Sequence, residues 1–350
     1  MLCAVSLLSG CSAEKSAALP SSVQNKSAEG SADASLSADE SKSTELFAMD
    51  TVMNLTAYGP NAPGALDAAA AEINRLDDLL SISSENGEIM KINRDGEGSV
   101  SPDVEALLDR ALDFSRETDG LFDCTIEPVM EAWGFTDQDY RIPSEEELKL
   151  LLSKVDSDQV QLTDGEVKLP PDVRLDLGGI AKGFTSARIM DIFAENGITS
   201  GLVSLGGNVQ ALGHKPDGSL WRIGIQDPNN LDDIFATVEI ADQAVITSGP
   251  YQRYFEENGV RYHHIIDPRT GYPADSGLIS VTIISSDGTL ADALSTSLYI
   301  MGPDRAASFW KEHQDQFDAI MMTNDGTVLV TSGLADHCTI QTGGAVQVIS

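Results

Sequence analysis

The sequence has few cysteines and few basic side chains, and each shortage argues against a particular class of protein. Its 350 residues contain four cysteines, without a Cys-x-x-Cys pair or a Cys/His cluster, so neither a zinc site nor a disulfide scaffold is expected. Lys and Arg number 22 against 55 Asp and Glu, a formal net charge of −33. A surface that acidic repels nucleic acid, which we therefore exclude as a partner. It also repels a phosphate ligand unless a divalent cation or backbone donors offset the field, so a nucleotide site in this chain favours metal assistance.

A short apolar run opens the chain and is too short to span a bilayer. It ends in a Leu-Ser-Gly-Cys sequence at Cys11, which resembles a bacterial lipobox. The implied processing removes residues 1–10 and lipidates Cys11, which predicts a lipid-anchored protein on the extracytoplasmic face of the cell membrane. The run lacks the basic start of a signal peptide, and we interpret it as the remnant of a longer signal. An ordinary buried segment is the alternative.

Residues 12–45 are rich in Ser, Ala and Glu and show no apolar period. A segment of this composition cannot bury enough apolar surface to order itself, so we expect a flexible tether. The expected organisation is a signal remnant at 1–10, a disordered tether at 11–45 and one folded domain at 46–350.

The folded part combines amphipathic helices with runs of short strands. Because the strands come in runs and do not alternate strictly with helices, we expect an α+β fold with mixed, largely antiparallel sheets and flanking helices, not a doubly wound sheet. Helices are predicted from Pro63, from Pro102, at 148–155 after the capping box Ser144-x-x-Glu147, at 180–195, at 290–301 and from Pro303 to His313. Strands are predicted at 51–58, 202–205, 209–212, 221–225, 237–240, 244–247, 261–266, 279–284, 319–322 and 328–330.

Four segments concentrate groups that can do chemistry. In 175–184 a strand ends in Asp176, and a Gly-Gly turn leads into a helix whose free N–H groups suit an anion. In 204–209 a second Gly-Gly turn joins two strands, which a plain hairpin also explains. His264 stands at a strand end before Asp-Pro and Arg-Thr-Gly; it can act as a general base near neutral pH or simply cap a loop.

The fourth segment places Asp292 and Thr296 on one face of a predicted helix, since residues i and i+4 are neighbours there. Two hard oxygens at that spacing suit Mg²⁺. In isolation, however, an Asp and a Thr in a helix usually form a first-turn cap, and a Gly-Gly turn is usually only a tight turn. Each segment by itself is therefore weak evidence of a site.

Taken in order, the segments resemble the FAD:protein FMN transferase family, also called the ApbE family of flavin transferases. The resemblance extends from Met49 to about Gly302, and the ordered set is specific although each piece is not. Its pieces are Met49-Asp50-Thr51, Thr118-Asp119-Gly120-Leu121-Phe122-Asp123, Trp133-Gly134-Phe135, the 176–183 and 204–208 segments, Thr247-Ser248-Gly249, the 264–271 segment, and Asp292 with Thr296.

The resemblance implies an ApbE-like fold and a Mg²⁺ held by Asp292, Thr296 and the carbonyl of Gly179. It implies FAD as the substrate, with FMN passed to a Ser or Thr of an exported acceptor protein, often a subunit of a membrane redox complex, and AMP released. His264 is the candidate base, a role that Asp292 could share. The residues expected to contact FAD are Met49, Leu121, Phe122, Asp123, Asp176, Lys182 and Ile265.

Three positions depart from the family pattern. Asp50 stands where Gly is frequent, Cys124 where Pro is usual, and Ser83 where an aromatic ring is frequent. The last departure argues against ring stacking at that point, so Ser83 is not assigned to the site. Two other functions fit the same residues: a Mg²⁺-dependent FAD pyrophosphatase with water as acceptor, and a non-catalytic flavin-binding lipoprotein. An adhesion or scaffold protein is the remaining alternative.

Overall fold

Seventeen strands form four sheets in the residues that the computed structural model describes, 37–334 and 336–350. The strands are β1 (Ser41–Ala48), β2 (Thr51–Tyr58), β3 (Glu97–Ser99), β4 (Gln161–Thr163), β5 (Glu166–Lys168), β6 (Gly201–Leu205), β7 (Asn208–Leu212), β8 (Trp221–Asp227), β9 (Asn230–Ile240), β10 (Ala244–Ser248), β11 (Tyr254–Glu257), β12 (Val260–His263), β13 (Leu278–Ser285), β14 (Asp318–Thr323), β15 (Val328–Thr331), β16 (Cys338–Ile340) and β17 (Val346–Ile349). The main sheet has the order β1-β2-β6-β7-β10-β13-β14-β15-β17, and all its pairs are antiparallel except β15 with β17.

Eight helices flank the sheets in the same part of the chain. Six of them coincide with helices expected from the sequence, whereas α2 and α4 were not expected. None of the described helices has the length and apolar character needed to cross a bilayer. The helices are α1 (Ala62–Leu80), α2 (Glu88–Asp95), α3 (Pro102–Glu117), α4 (Glu127–Ala132), α5 (Glu145–Leu152), α6 (Ala181–Glu195), α7 (Gly288–Met301) and α8 (Pro303–Glu312). The predicted α+β class with largely antiparallel sheets is confirmed.

The N-terminal predictions are only partly covered by the described residues. The signal remnant, the lipid-carrying Cys11 and the tether up to residue 36 lie outside them. The described part belongs to the compact unit Leu36–Ser350. Its first strand begins at Ser41, earlier than the expected start of folding at Leu46, because the polar residues from Ser41 pair along β2 in a hairpin.

Several further element bounds differ from the expectation, among them the start of β9 at Asn230, and two of the differences have clear local reasons. Helix α5 begins at Glu145, not Leu148, because Ser144 is its N-cap and its hydroxyl accepts the N–H of Glu147 at 3.2 Å. Only that half of the capping box forms, since the Glu147 carboxylate pairs with Arg141. Strand β12 ends at His263, the last residue paired with β11, and not at residue 266.

The two described cysteines lie in different parts of the interior. Cys124 is buried in the large core beneath α3 and α7, whereas Cys338 packs against the core of the β16-β9-β8 sheet. Both thiols are free. They therefore do not pair with each other.

Helices α6 and α7 cross at two glycines, and this crossing determines where the chemistry of α7 lies. A Cβ added at Gly183 would be 2.2 Å from the carbonyl oxygen of Gly288 and 2.6 Å from the Cβ of Asp292. A Cβ at Gly288 would be 3.0 Å from the carbonyl oxygen of Gly183. The helices can approach this closely only because neither residue has a side chain. The contact lets the Gly183 N–H donate to the Asp292 carboxylate at 2.8 Å.

We expect Gly183→Ala to destabilise the protein by about 1–3 kcal/mol, because the added methyl overlaps the backbone of α7. Gly64→Ala is the matched control: it is also a helical glycine, but a Cβ there meets nothing within 4 Å. That change should stabilise the protein by about 0.5–1 kcal/mol through the ordinary helix preference for alanine. Urea unfolding of both variants measures the difference. Equal effects of the two changes would contradict the tight crossing.

Candidate active site

A cavity of about 710 Å³ opens beside the helix crossing, within the range of about 300–1,000 Å³ that is usual for small-molecule sites. Its wall is built by the β1–β2 turn, the end of α1, the 121–123 and 176–182 segments, the start of β7, the end of β10, the chain after β12, and α7. The structure brings all the site residues named from the sequence onto this one wall. They are Met49, Leu121, Phe122, Asp123, Asp176, Gly179, Lys182, His264, Ile265, Asp292 and Thr296.

Asp292 is a buried carboxylate held by neutral donors. One oxygen accepts the N–H of Gly183 at 2.8 Å, and the other accepts the side-chain amide of Asn208 at 2.9 Å. The Nζ atom of Lys182 lies 3.9 Å away, beyond direct hydrogen-bonding distance. The residue is only 5% exposed, and its two neutral donors occupy only part of the lone pairs of the carboxylate oxygens. This position therefore favours a bound cation.

A chain of three hydroxyls orients the oxygen of Thr296. The Ser295 hydroxyl donates to the carbonyl oxygen of Asp292 at 2.8 Å, so it accepts from Ser248, 2.7 Å away. The Ser248 proton is then used, and Ser248 accepts from the Thr296 hydroxyl at 3.2 Å. Each hydroxyl has one proton, so this order leaves the lone pairs of Thr296 free for a ligand.

His264 is held in one tautomer by the backbone of Arg253. Its Nδ1 lies 3.1 Å from the Arg253 carbonyl oxygen, which also accepts the backbone N–H of His264 at 3.1 Å. A carbonyl oxygen can only accept, so Nδ1 carries the proton and Nε2 carries the lone pair. Burial, and then the charge of Arg253, lower the pKa of His264 to about 3. The ring is therefore neutral near pH 7 and has one nitrogen able to accept a proton.

Asp176 and Asp123 shape two turns of the same wall. Asp176 accepts the N–H of Gly178 at 2.7 Å, and its own N–H donates to the carbonyl of Cys124 at 2.7 Å. Asp123 accepts the N–H and the hydroxyl of Thr125 at 2.7 and 2.5 Å. Burial raises the pKa of both carboxyl groups. Both side chains thus hold local backbone, and their expected contact with FAD stays a prediction.

Comparison with known proteins shows which family this chain belongs to. Residues 49–321 match the model of the ApbE family. The chain belongs to the ApbE family. It is similar, at 32% identity over 311 residues, to the FAD:protein FMN transferase of Treponema pallidum (strain Nichols), covering 82% of this chain and 86% of that protein. It is 31% identical over 261 residues to the FAD:protein FMN transferase of Escherichia coli (strain K12), covering 71% and 74%.

Solved ApbE structures have the same fold. The crystal structure of the ApbE protein from Thermotoga maritima matches with a TM-score of 0.80 and 33% identity, covering 84% of this chain and 98% of that one. The apo form of the Pseudomonas stutzeri flavinyl transferase ApbE matches with a TM-score of 0.74 and 28% identity, covering 82% and 92%. The family and fold predicted from the sequence are confirmed.

The oxygen donors of this ApbE-family chain fit a Mg²⁺ ion whose remaining ligands are water and the phosphates of a bound nucleotide. Asp292 offers a carboxylate, Thr296 a hydroxyl with free lone pairs, and the exposed turn at Gly179 a carbonyl on the same wall. The described residues contain no group of three or more His, Cys, Asp or Glu side chains that could hold a metal. Mg²⁺ commonly needs only one or two carboxylates when water and substrate phosphates supply the other oxygens.

Several wall residues that orient the site were not expected from the sequence. Asn208 and Ser248 orient Asp292 and Thr296, and the carbonyl of Arg253 orients His264. Ser83 also lies on the wall, and its exclusion from the residues that contact FAD stays a prediction. Asn208 and Ser248 each lie inside a Gly-containing motif that the sequence had singled out, which is the signal that could have found them.

Proposed function

We propose that this chain transfers FMN from FAD to a Ser or Thr hydroxyl of an exported acceptor protein, in a Mg²⁺-dependent reaction that releases AMP. Flavin transfer from FAD to a protein follows from membership of the ApbE family, whose curated relatives have that activity in their names. The observation that carries the finer proposal is the convergence of Asp292, Thr296 and the free Nε2 of His264 on one cavity.

The acceptor hydroxyl attacks the phosphorus of the FMN half, the bond from that phosphorus to the bridging oxygen breaks, and AMP leaves with that oxygen. His264 accepts the hydroxyl proton at Nε2, because its other nitrogen is already committed to Arg253. When bound at Asp292, Thr296 and Gly179, Mg²⁺ supplies positive charge that offsets the pyrophosphate. That charge matters in a chain with a net charge of −33.

The proposed setting is the extracytoplasmic face of the membrane, with a lipid on Cys11 and an acceptor that belongs to a membrane redox complex. The support is the Leu-Ser-Gly-Cys sequence followed by a tether-like composition at 12–45. Fractionation of cells that express the full chain or its Cys11→Ser variant tests the anchor. Equal membrane retention of the two proteins would contradict a lipid anchor at Cys11.

Mass spectrometry of candidate acceptors after incubation with the protein, FAD and Mg²⁺ tests the reaction. An added FMN mass on a Ser or Thr, with AMP released, is the expected result. Free FMN and AMP with an unlabelled acceptor would instead identify a pyrophosphatase. Intact FAD after long incubation would identify a binding protein.

A further inference from the structure

Three phenylalanine rings lie on the cavity wall, and only one of them is open to the cavity and solvent. Phe122 and Phe135 are 5% and 1% exposed, whereas Phe47 is 68% exposed. Phe122 packs edge-on against Phe114 at 6.3 Å, and Phe135 against Tyr140 at 5.7 Å. The wall contains no tyrosine or tryptophan among the described residues. Phe47 is thus the ring on this wall whose face is available to a ligand.

Phe47 stands on a rigid support. It is the penultimate residue of β1 and faces Val52 across the hairpin. The connecting turn has two consecutive residues with positive φ, Met49 at 48° and Asp50 at 59°, which is the geometry of a tight two-residue hairpin. The N–H of Met49 donates to the Asp77 carboxylate at 2.9 Å and ties the turn to α1. The backbone that carries the ring is therefore fixed before a ligand arrives.

We propose that Phe47 stacks against a planar ring system of FAD, either the isoalloxazine or the adenine. The inference rests on the proposed function, which makes FAD the ligand of this cavity. An exposed aromatic face gains contact when it stacks on a heterocycle, and both ends of FAD are heterocycles. The neighbouring wall segment, 81–84, has the sequence Ser-Ile-Ser-Ser and offers no ring of its own.

Titration of FAD into the protein, followed by flavin fluorescence or calorimetry, tests the proposal. We expect Phe47→Ala and Phe47→Leu each to raise the Kd for FAD by about tenfold, which corresponds to about 1.4 kcal/mol. Phe47→Trp should keep wild-type affinity because it restores an aromatic face. Val52→Ala is the matched control: Val52 is an exposed cross-strand neighbour that does not line the cavity, so its Kd should stay within about twofold of wild type.

ADP and FMN, titrated separately, identify the ring. A raised Kd for ADP in Phe47→Ala places the adenine on Phe47, and a raised Kd for FMN places the isoalloxazine there; either result supports the proposal. Wild-type affinity of Phe47→Leu for FAD would overturn it, because an apolar contact without a ring would then be enough. An unchanged Kd for FAD in Phe47→Ala, with a raised KM for the acceptor protein, would also overturn it and make Phe47 a docking residue.

These outcomes separate this inference from the proposed function. If the wild-type protein binds FAD but labels no acceptor, the transfer proposal fails while a Phe47-dependent Kd still supports stacking. If the wild-type protein labels an acceptor and the Phe47 variants bind FAD normally, stacking alone fails.

Discussion

Asp292→Ala is expected to lower FMN transfer by on the order of 10²–10³-fold, the size of effect seen when one preorganised electrostatic contact is removed from an active site. The carboxylate is the only charged member of the proposed Mg²⁺ ligand set, so its loss should also remove the sensitivity of the residual activity to EDTA. The same change leaves the N–H of Gly183 and the amide of Asn208 without their acceptor. We therefore expect a lower melting temperature as well.

Asp292→Asn separates the two effects. Its amide oxygen can still accept from Gly183, and a flipped Asn208 amide can meet the new NH₂ group, so the fold should be nearly unchanged. The negative charge is nevertheless gone, so transfer should fall almost as far as in the alanine variant. Transfer assays over a Mg²⁺ titration, with melting curves of both variants, make the comparison. Full, EDTA-insensitive activity of either variant would refute the metal site.

His264→Ala is expected to lower transfer by about 10²-fold, the low end of the usual contribution of a general base, because a base whose pKa is lowered to about 3 accepts a proton weakly. Because the pKa of His264 is lowered to about 3, the neutral form that can accept a proton predominates from pH 8 down to pH 5. The pH profile of kcat/KM reports the free enzyme, so the wild type should lose no activity through protonation of His264 in this range.

His263→Gln is the control for this prediction. His263 is the adjacent ring and does not line the cavity. Its Nε2 lies 3.2 Å from the carbonyl of Ala274, a contact that a glutamine amide can replace, and its Nδ1 accepts the N–H of Ile265 over a longer 3.3 Å. This variant should transfer FMN at nearly the wild-type rate. Wild-type transfer by His264→Ala, or a loss of activity centred near pH 6.5 that disappears in that variant, would contradict the assignment.

Local signals in the sequence located most of the main-sheet strands and the longer helices. Pro102 and Ser144 are start signals that act within one turn of the chain, so α3 and α5 could be recognised without tertiary information. Helix α2 has only eight residues between Gly87 and Gly96, too few for a periodic pattern to stand out. The start of β1 is polar and becomes a strand through its partner β2, which composition cannot reveal.

The sequence predicted which residues form the site, through its motifs, but not the contacts between them. The ordered segments placed eleven residues on what proves to be one wall, but the sequence could not say how those residues hold one another. The contact between Asn208 and Asp292 joins residues 84 positions apart. The tautomer of His264 depends on a carbonyl, which every residue has, so no side-chain pattern marks it. Both the Asn208–Asp292 contact and the His264 tautomer depend on the tertiary structure.

The cavity wall takes residues from Phe47 to Ile300, so no short segment can form an FAD site by itself. FAD should therefore bind the folded chain and not the unfolded one, which raises the free energy of unfolding by about 1.4 kcal/mol for each tenfold excess of FAD over its Kd. A protease that attacks the unfolded chain would then digest the protein more slowly as FAD increases. The supply of flavin would set the lifetime of this enzyme as well as its rate.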